Sequence, residues 1–233
     1  MTTFVLVHGA WHGAWCWERL VPELEARGHR TITMDLPVED GSATFEDYAD
    51  VVVDAVKHEG NDIAVVGHSL GSMTIPIVAA KRPVATLVFL CGVIPNFAGS
   101  PWDDAPAMAE PGIIEATTSH EDGSTSWPTL EAATNAFYGD CEPEDAARAF
   151  ERLRHQNGTS LFAQPYPLDT WPPGRRIAIV GADDRIVRLE FSRAVSATRL
   201  GVDPIVLPGD HSPFVARPSE LADVLVREVS RSE

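Results

Sequence analysis

The sequence predicts an α/β fold with a six-stranded, mostly parallel sheet and helices on both of its faces. Six apolar, strand-like runs alternate along the chain with helix-like stretches, which is the pattern of consecutive βα units. The 233 residues can bury one substantial core and are most simply one such unit. A serine between two glycines, in Gly67-His68-Ser69-Leu70-Gly71, separates a strand-like run from a helix-like stretch. These three observations together indicate a parallel sheet covered on both faces, with a serine at one of its strand-to-helix turns.

The individual elements follow from the apolar patterns and from local stop signals. The predicted strands lie near residues 4–8, 31–35, 63–68, 86–91, 176–181 and 204–208. The predicted helices lie near residues 15–27, 44–57, 70–82, 189–199 and 219–230. Thr44-Phe45-Glu46-Asp47 is a capping box, in which a hydroxyl and a carboxylate satisfy free backbone N–H groups at a helix start. Gly28 is placed to end the first helix.

Ser69 is the candidate nucleophile, because G-x-S-x-G between a strand and a helix is the pattern of a nucleophile elbow. A serine on such a sharp turn has a strained backbone, and Gly67 and Gly71 leave room for neighbouring chain. The hydroxyl then projects from the end of the sheet, where a base and a substrate can both reach it.

A serine hydroxyl needs a base to remove its proton, and His211 is the candidate among the eight histidines. It lies in a short loop between the strand near 204–208 and the last helix, where a side chain can turn towards the sheet end. We interpret His68, next to the nucleophile, as a structural residue that fills space beneath the elbow.

The imidazole in turn needs a carboxylate that fixes its tautomer, and two adjacent aspartates follow the strand near 176–181. The order Ser69, then Asp183 or Asp184, then His211 is that of the α/β-hydrolases. The residues alone leave the choice between the two aspartates open.

Two backbone N–H groups are the candidates for an oxyanion hole, those of Ala10 and Leu70. The loop after the first strand should pass beside the elbow, with Gly9 allowing the close approach. Leu70 directly follows the candidate nucleophile.

The composition changes between Pro95 and Pro173, where prolines recur and strand-like runs disappear. Helical patterns remain at Leu130–Phe137 and Pro143–Gln156. We expect residues 1–94 and 172–233 to form the core and residues 95–171 to form a cap over the site. Some of the cap's aromatic side chains should line an apolar pocket, although packing is the commoner role for any one of them. They include Trp102, Trp127, Phe137, Tyr138, Phe162, Tyr166 and Trp171.

The chain resembles the plant methylesterase and hydroxynitrile lyase branch of the α/β-hydrolase superfamily, with its bacterial esterase relatives. The resemblance rests on the following segments: residues 8–17 (His-Gly-Ala-Trp-His-Gly-Ala-Trp-Cys-Trp), residues 24–29, the elbow, residues 86–90, Asp210-His211, and patches at 136–139 and 143–145. It implies the α/β-hydrolase fold, here in a minimal six-stranded form. Members of the branch are often dimers, so a homodimer is a possible state.

The resemblance also selects between alternatives that the residues leave open. The acid of this branch precedes a basic residue and an apolar pair, as in Asp184-Arg185-Ile186-Val187, which favours Asp184 over Asp183. The branch's lyases carry threonine where Gly9 stands and lysine directly after the catalytic histidine, where this chain has Ser212. The resemblance therefore implies an esterase rather than a cyanohydrin lyase.

The remaining bulk properties exclude other classes of function. Eighteen basic and 34 acidic residues give a net charge of −16, which disfavours nucleic acid and anionic membranes as partners. The three cysteines (Cys16, Cys91 and Cys141) are odd in number and widely spaced, which is typical of reduced thiols in a cytoplasmic protein. No metal motif and no phosphate-binding loop is present, and we expect no cofactor. The N-terminus shows neither a signal peptide nor a long apolar run, so we expect neither secretion nor a membrane span.

The sequence as a whole predicts a serine hydrolase that cleaves a small, fairly apolar carboxylic ester through an acyl-enzyme. Two alternatives stay open: a carbon-bond lyase that uses the same three side chains without acylation, and a small-molecule receptor with a hydrolase fold.

Overall fold

Two sheets and the helices around them make up residues 1–97 and 103–231, the part of the chain that the computed structural model describes. The strands in chain order are β1 (Thr3–Val7), β2 (Arg30–Thr33), β3 (Ile63–His68), β4 (Thr86–Leu90), β5 (Thr118–Ser119), β6 (Ser124–Ser126), β7 (Gln156–Asn157), β8 (Arg175–Gly181) and β9 (Ile205–Leu207). The α-helices are α1 (Leu20–Ala26), α2 (Phe45–Ala55), α3 (Ile75–Lys81), α4 (Ala105–Met108), α5 (Leu130–Phe137), α6 (Pro143–Phe150), α7 (Thr159–Ala163), α8 (Leu189–Val195), α9 (Pro213–Ala216) and α10 (Pro218–Ser230).

The larger sheet has the strand order β2-β1-β3-β4-β8-β9, and all of its neighbouring pairs are parallel. Strands β1, β3 and β4 are buried along their whole length, whereas the edge strand β2 is half-exposed. Continuous apolar runs are what a strand covered on both faces requires. The predicted six-stranded parallel sheet is confirmed.

Strand order reverses between β1 and β3, since β2 lies on one side of β1 and all later strands of the larger sheet lie on the other. At such a reversal the loops leave the sheet in opposite directions and open a crevice at the carboxyl ends of the strands. Residues 8–13 follow β1 there, and Ser69 follows β3. The topology therefore brings the two loops that carry Ala10 and Ser69 to the same edge of the sheet.

The helices pack in two groups, with α1 against α10 and α2 against α3. The hydroxyl of Thr44 accepts from Asp47 N–H at 3.2 Å, and the Asp47 carboxylate accepts from Thr44 N–H at 2.8 Å, so the predicted capping box is present. Gly28, with φ of 82°, ends the first helix as predicted. No helix in the described ranges is long and apolar enough to cross a membrane.

Two predicted helices begin later than the sequence pattern indicates. The stretch near 15–27 is a 3-10 turn at Ala14–Trp17 followed by α1, and the stretch near 70–82 is a 3-10 turn at Ser69–Met73 followed by α3. Both α-helices carry a proline within their first turn, Pro22 and Pro76. A proline ring clashes with the carbonyl four residues earlier, so a regular α-helix can begin only within the turn that precedes the proline.

The inserted segment, residues 95–171, differs from prediction in two respects. Short strands β5, β6 and β7 form an antiparallel sheet there, where the sequence shows no strand pattern, because two or three residues are too few for an alternation. Helix α6 ends at Phe150 rather than at Gln156, because Gln156 pairs with β6 instead. The division into core and cap stays a prediction.

A glycine contact at the base of the sheet crevice predicts a stability effect. A Cβ at Gly71 would lie 2.3 Å from the carbonyl oxygen of His8, which is backbone and cannot rotate away. We expect Gly71→Ala to lower the free energy of unfolding by about 2–3 kcal/mol, the cost of overpacking. Urea denaturation measures it. Gly60→Ala is the control, because a Cβ there meets nothing within 4 Å. Equal stability of the two variants would contradict the close contact.

Candidate active site

Ser69 occupies the predicted elbow at the end of β3. Its φ is 51°, in the left-handed region that L-residues rarely adopt, and the residue is 8% exposed. A Cβ at Gly67 would lie 2.7 Å from the backbone of Ser72, so a glycine is required there as predicted. The elbow is anchored by the Val93 N–H, which donates to the carbonyl of Ser69 at 3.1 Å. Backbone strain at a single buried serine is typical of functional sites.

His211 and Asp184 form a buried hydrogen-bonded pair behind the elbow. The Nδ1–H of His211 donates to Oδ2 of Asp184 at 2.8 Å, and both side chains are fully buried. The other oxygen of Asp184 accepts the backbone N–H groups of Ile186 and Val187, at 2.9 and 2.8 Å. Asp183 is exposed, so Asp184 is the aspartate that contacts the histidine.

The pairing leaves the Nε2 of His211 with its lone pair and with no hydrogen-bond partner among the described residues. Ser69 and His211 are therefore not hydrogen-bonded to each other in this structure. Catalytic hydrogen bonds of this type are often long in a free enzyme and tighten on substrate binding. The geometry supplies an acceptor nitrogen whose tautomer is fixed by a buried carboxylate.

His68 connects the elbow to the histidine loop. Its Nε2–H donates to the backbone carbonyl of His211 at 3.0 Å, and the two rings lie 4.7 Å apart. Its Nδ1 also lacks a partner among the described residues, but that nitrogen faces Gly9 and no carboxylate supports the ring. Our interpretation of His68 as space-filling is incomplete, because the side chain also holds the backbone of the candidate base.

Ala10 and Leu70 line the same cavity as Ser69. A Cβ at Gly9 would lie 2.8 Å from the Cβ of Ser69, so the loop after β1 runs directly against the elbow. Two residues after Gly9, Trp11 has a backbone φ of 59°, so this loop also contains a residue in the left-handed region. The structure thus brings the two candidate oxyanion residues beside the candidate nucleophile.

Sequence reasoning missed His12 and Tyr138, which hold this loop in place. The Nδ1–H of His12 donates to the carbonyl of Ala10 at 2.8 Å, and the hydroxyl of Tyr138 donates to its Nε2 at 2.8 Å. Both side chains are buried, and Tyr138 belongs to the inserted segment. The sequence signals for His12 are its place in the loop after the first strand and in residues 8–17, one of the segments that carry the resemblance.

Burial keeps the histidines around the site neutral. It lowers the pKa of His8 to about 4 and that of His12 to about 3, and it places the pKa of His68 well below the ordinary value. Burial acts in the opposite sense on Asp210, whose pKa is raised to about 6. Asp210 accepts the N–H of His211 at 2.7 Å and that of Gly139 at 2.9 Å.

A cavity of about 480 Å³ opens in front of Ser69. Most of its lining is apolar, from Ala10, Trp11, Leu70, Val93, Pro106, Met108, Ala109, Pro111, Ile114, Phe162 and Ile186. Its polar lining comes from Ser69, Thr117, Thr125, Gln156, Glu110 and Glu115, and no described lining residue is basic. Another cavity, of about 490 Å³, lies at the amino end of β8 and contains none of the candidate site residues.

The aromatic side chains of the inserted segment divide between packing and cavity lining, with packing the commoner role. Phe162 lines the cavity, while Trp127, Phe137 and Tyr138 are buried in the core. Tyr166 and Trp171 pack against it without lining the cavity. Trp102 lies outside the described residues.

One cluster within the described ranges, Cys91, Asp184 and His211, has its thiol, carboxylate and imidazole atoms within 4.8 Å of one another. Within this cluster, Nδ1 of His211 and Oδ2 of Asp184 are 2.8 Å apart. Two ligands that are each about 2.0–2.2 Å from one zinc ion stand further apart than this. The cluster as arranged holds a proton between its nitrogen and oxygen and does not fit a metal ion.

Comparison with known proteins shows similarity along nearly the whole chain. A family model described as the alpha/beta hydrolase family matches residues 4–224. "Probable esterase PIR7A" of Oryza sativa subsp. indica is 29% identical, over 96% of this chain and 95% of its own. "Methylesterase 9" of Arabidopsis thaliana is 28% identical, over 97% and 98%. "Alpha-hydroxynitrile lyase" of the same plant is 26% identical, over 95% of each.

Among solved structures, that of polyneuridine aldehyde esterase superposes with a TM-score of 0.83 and covers 98% of this chain and 99% of its own. The two sequences are 21% identical, so this similarity shows a shared fold alone.

The buried neutral histidines predict a loss of stability on acidification. Their folded pKa is below the unfolded value near 6.5, so unfolding takes up about one proton per histidine as the pH falls from 6.5 towards 4. Asp210 holds a proton in the folded state over this window and releases it on unfolding. This release offsets about one of the three protons that the histidines take up. We therefore expect a net uptake of about two protons on unfolding near pH 5, measured as the slope of unfolding free energy against pH.

His8→Gln should reduce that slope by about one proton. His58→Gln is the matched control, because His58 is exposed and folding does not desolvate it. The same slope in both variants would show that His8 is not held neutral by burial.

Proposed function

The chain belongs to the alpha/beta hydrolase family, and we propose that it is a serine esterase that cleaves a small, largely apolar carboxylic ester. One observation carries the proposal: Asp184 holds the buried ring of His211 at 2.8 Å and leaves its Nε2 without a partner among the described residues, while the strained Ser69 lines an apolar cavity. Two relatives, named as a probable esterase and a methylesterase, agree with it.

In the proposed reaction, Ser69 Oγ attacks the ester carbonyl while Nε2 of His211 takes the hydroxyl proton. Asp184 holds the ring and compensates the imidazolium charge. The N–H groups of Ala10 and Leu70 bind the oxyanion of the tetrahedral intermediate. Collapse of that intermediate breaks the ester C–O bond, and His211 returns the proton to the leaving alcohol. Water then attacks the acyl-enzyme by the same route and releases the acid.

The cavity limits the substrate. Its volume of about 480 Å³ accommodates a small organic ester, and its lining favours apolar acyl and alcohol groups. With Glu110 and Glu115 in the lining and no basic residue among the described lining positions, it offers no counter-ion to a carboxylate on the substrate. An uncharged ester is the substrate class that this chemistry favours.

The inserted segment acts as the cap in this proposal, with residues 1–94 and 172–233 as the core. Positions between 106 and 117, together with Thr125, Gln156 and Phe162, supply more than half of the cavity lining. Three free cysteines support a reducing compartment such as the cytoplasm.

A lyase is the second candidate, because one relative bears that name. Two positions oppose the cyanohydrin version. A side chain at Gly9 would meet Ser69 at 2.8 Å, and the residue after His211 is an uncharged, buried Ser212. A small-molecule receptor with the same fold is a further alternative, and it would bind ligand without forming product.

Ser69→Ala should lower kcat on an activated ester about 10⁴-fold or more while the fold stays intact. A fluorophosphonate probe should add once to the wild-type protein, at Ser69, as measured by intact mass and peptide mapping. Ser42→Ala is the control, because Ser42 is exposed and outside the cavity. Turnover without a trappable adduct would support the lyase, and binding without turnover would support the receptor.

The two adjacent aspartates provide a matched pair of substitutions. Asp184→Asn should lower kcat about 10⁴-fold, because the amide no longer fixes the productive tautomer of His211. Asp183→Asn should stay near wild type, because that side chain is exposed. Steady-state kinetics on one p-nitrophenyl ester decides between them, and the reverse order of effects would overturn the assignment of the acid.

A further inference from the structure

Cys91 lies directly after β4, at the carboxyl end of the sheet and behind the His211–Asp184 pair. It is fully buried, and its φ of 46° makes it one of three non-glycine residues with positive φ in the described chain, with Trp11 and Ser69. Its N–H donates to the carbonyl of Ile179 at 2.7 Å, which fixes its backbone against β8. The proposed reaction assigns no role to this thiol.

The sulfur of Cys91 is close to both members of the pair. Its Sγ, a carboxylate oxygen of Asp184 and a ring nitrogen of His211 all lie within 4.8 Å of one another. A carboxylate can only accept a hydrogen bond, so where the two side chains meet the S–H of Cys91 is the donor and Asp184 is the acceptor.

The thiol keeps its proton under all ordinary conditions. Burial raises the pKa of Cys91 well above its usual value, and the negative charges of Asp184 and Asp210 raise it further. Cys91 is therefore a donor to Asp184 and not a competing nucleophile or anion.

We propose that Cys91 is a positioning residue, whose thiol donates to the carboxylate of Asp184 and limits how strongly that carboxylate stabilises the protonated form of His211. The inference rests on the proposed esterase function and deepens it. Asp184 then accepts four donors: two backbone N–H groups, the imidazole N–H and the thiol. A carboxylate with all of its lone pairs engaged is fixed in orientation and is a weaker partner for the imidazolium.

Removing the thiol should therefore make Asp184 hold the imidazolium more tightly. His211 would then keep its proton to higher pH, and the acid limb of the kcat/KM profile would move upward. Other groups face the ring, and they stay unchanged when Cys91 is replaced. They are Asp210 beside it in the chain, His68 beneath the elbow and His12 from the loop after β1.

Two substitutions at Cys91 separate the donor from the volume it fills. Cys91→Ala should shift the acid limb upward by about 0.5 pH unit, because S–H is a weak donor to a charged acceptor. Cys91→Ser keeps a donor in the same place and should restore the wild-type limb. Cys141→Ala and Cys141→Ser are the controls, because that thiol lies outside the pair and the cavity. Equal shifts for the two Cys91 variants, or no shift for Cys91→Ala, would overturn the proposal.

A measurement that needs no substitution at Cys91 keeps the proposal testable if those variants fail to fold. In a Cys16→Ala/Cys141→Ala protein, the infrared S–H stretching band reports Cys91 alone. We expect it at lower frequency than the band of a thiol free of hydrogen bonds, and Asp184→Asn should move it towards the free value. A free-thiol band in the protein with Asp184 intact would refute the hydrogen bond. Because this band does not depend on turnover, an inactive protein with a shifted band would refute the esterase function while leaving the Cys91–Asp184 contact standing.

Discussion

The close contact between the ends of β1 and β3 is the constraint on which the whole site depends. Their parallel register pairs Val7 with Gly67, so the two strands deliver their loops at the same height. Side chains are excluded where the loops cross, since one at Gly9 would meet Ser69 and one at Gly71 would meet the carbonyl of His8. The backbone of Ser69 is forced into the left-handed region by the turn that results. The position and backbone strain of the candidate nucleophile thus depend on the glycines in the segments that follow two neighbouring strands.

The polar groups behind this contact are satisfied by histidines in defined neutral tautomers. His8 donates from Nδ1 to the carbonyl of Gly9 and accepts the N–H of Leu36 at Nε2, each at 2.9 Å. His12 is fixed in the same tautomer by Ala10 and Tyr138. A proton on either ring would remove an acceptor that a buried donor needs, so the network that shapes the site also requires the rings to be neutral. Local electrostatics and stability are coupled here through the same hydrogen bonds.

Sequence patterns predicted the elements that depend on local rules and missed those that depend on distant partners. The capping box at Thr44 and the six strands follow from propensity and periodicity, and both are present. The elbow follows from a short motif in a strand–helix context. The role of Tyr138 does not, because its partner His12 is 126 residues away and no local pattern pairs the two residues. The choice of Asp184 over Asp183 likewise depended on resemblance, because only tertiary structure shows which of two adjacent carboxylates is buried.

The inserted segment is fastened to three of the four loops that carry the candidate triad and oxyanion groups. Tyr138 bonds to His12 of the loop after β1, Glu110 pairs with Arg185 directly after the candidate acid, and the N–H of Gly139 bonds to Asp210 beside the candidate base. The first and third of these contacts are buried or partly buried, so lifting the segment away would leave polar groups without partners at a cost of about 1–3 kcal/mol each. The cavity already has an open rim, where Ile114 and Phe162 are 37% and 46% exposed. A small molecule that enters at that rim breaks none of these bonds, so the segment that lines the cavity also holds the geometry of the loops around it.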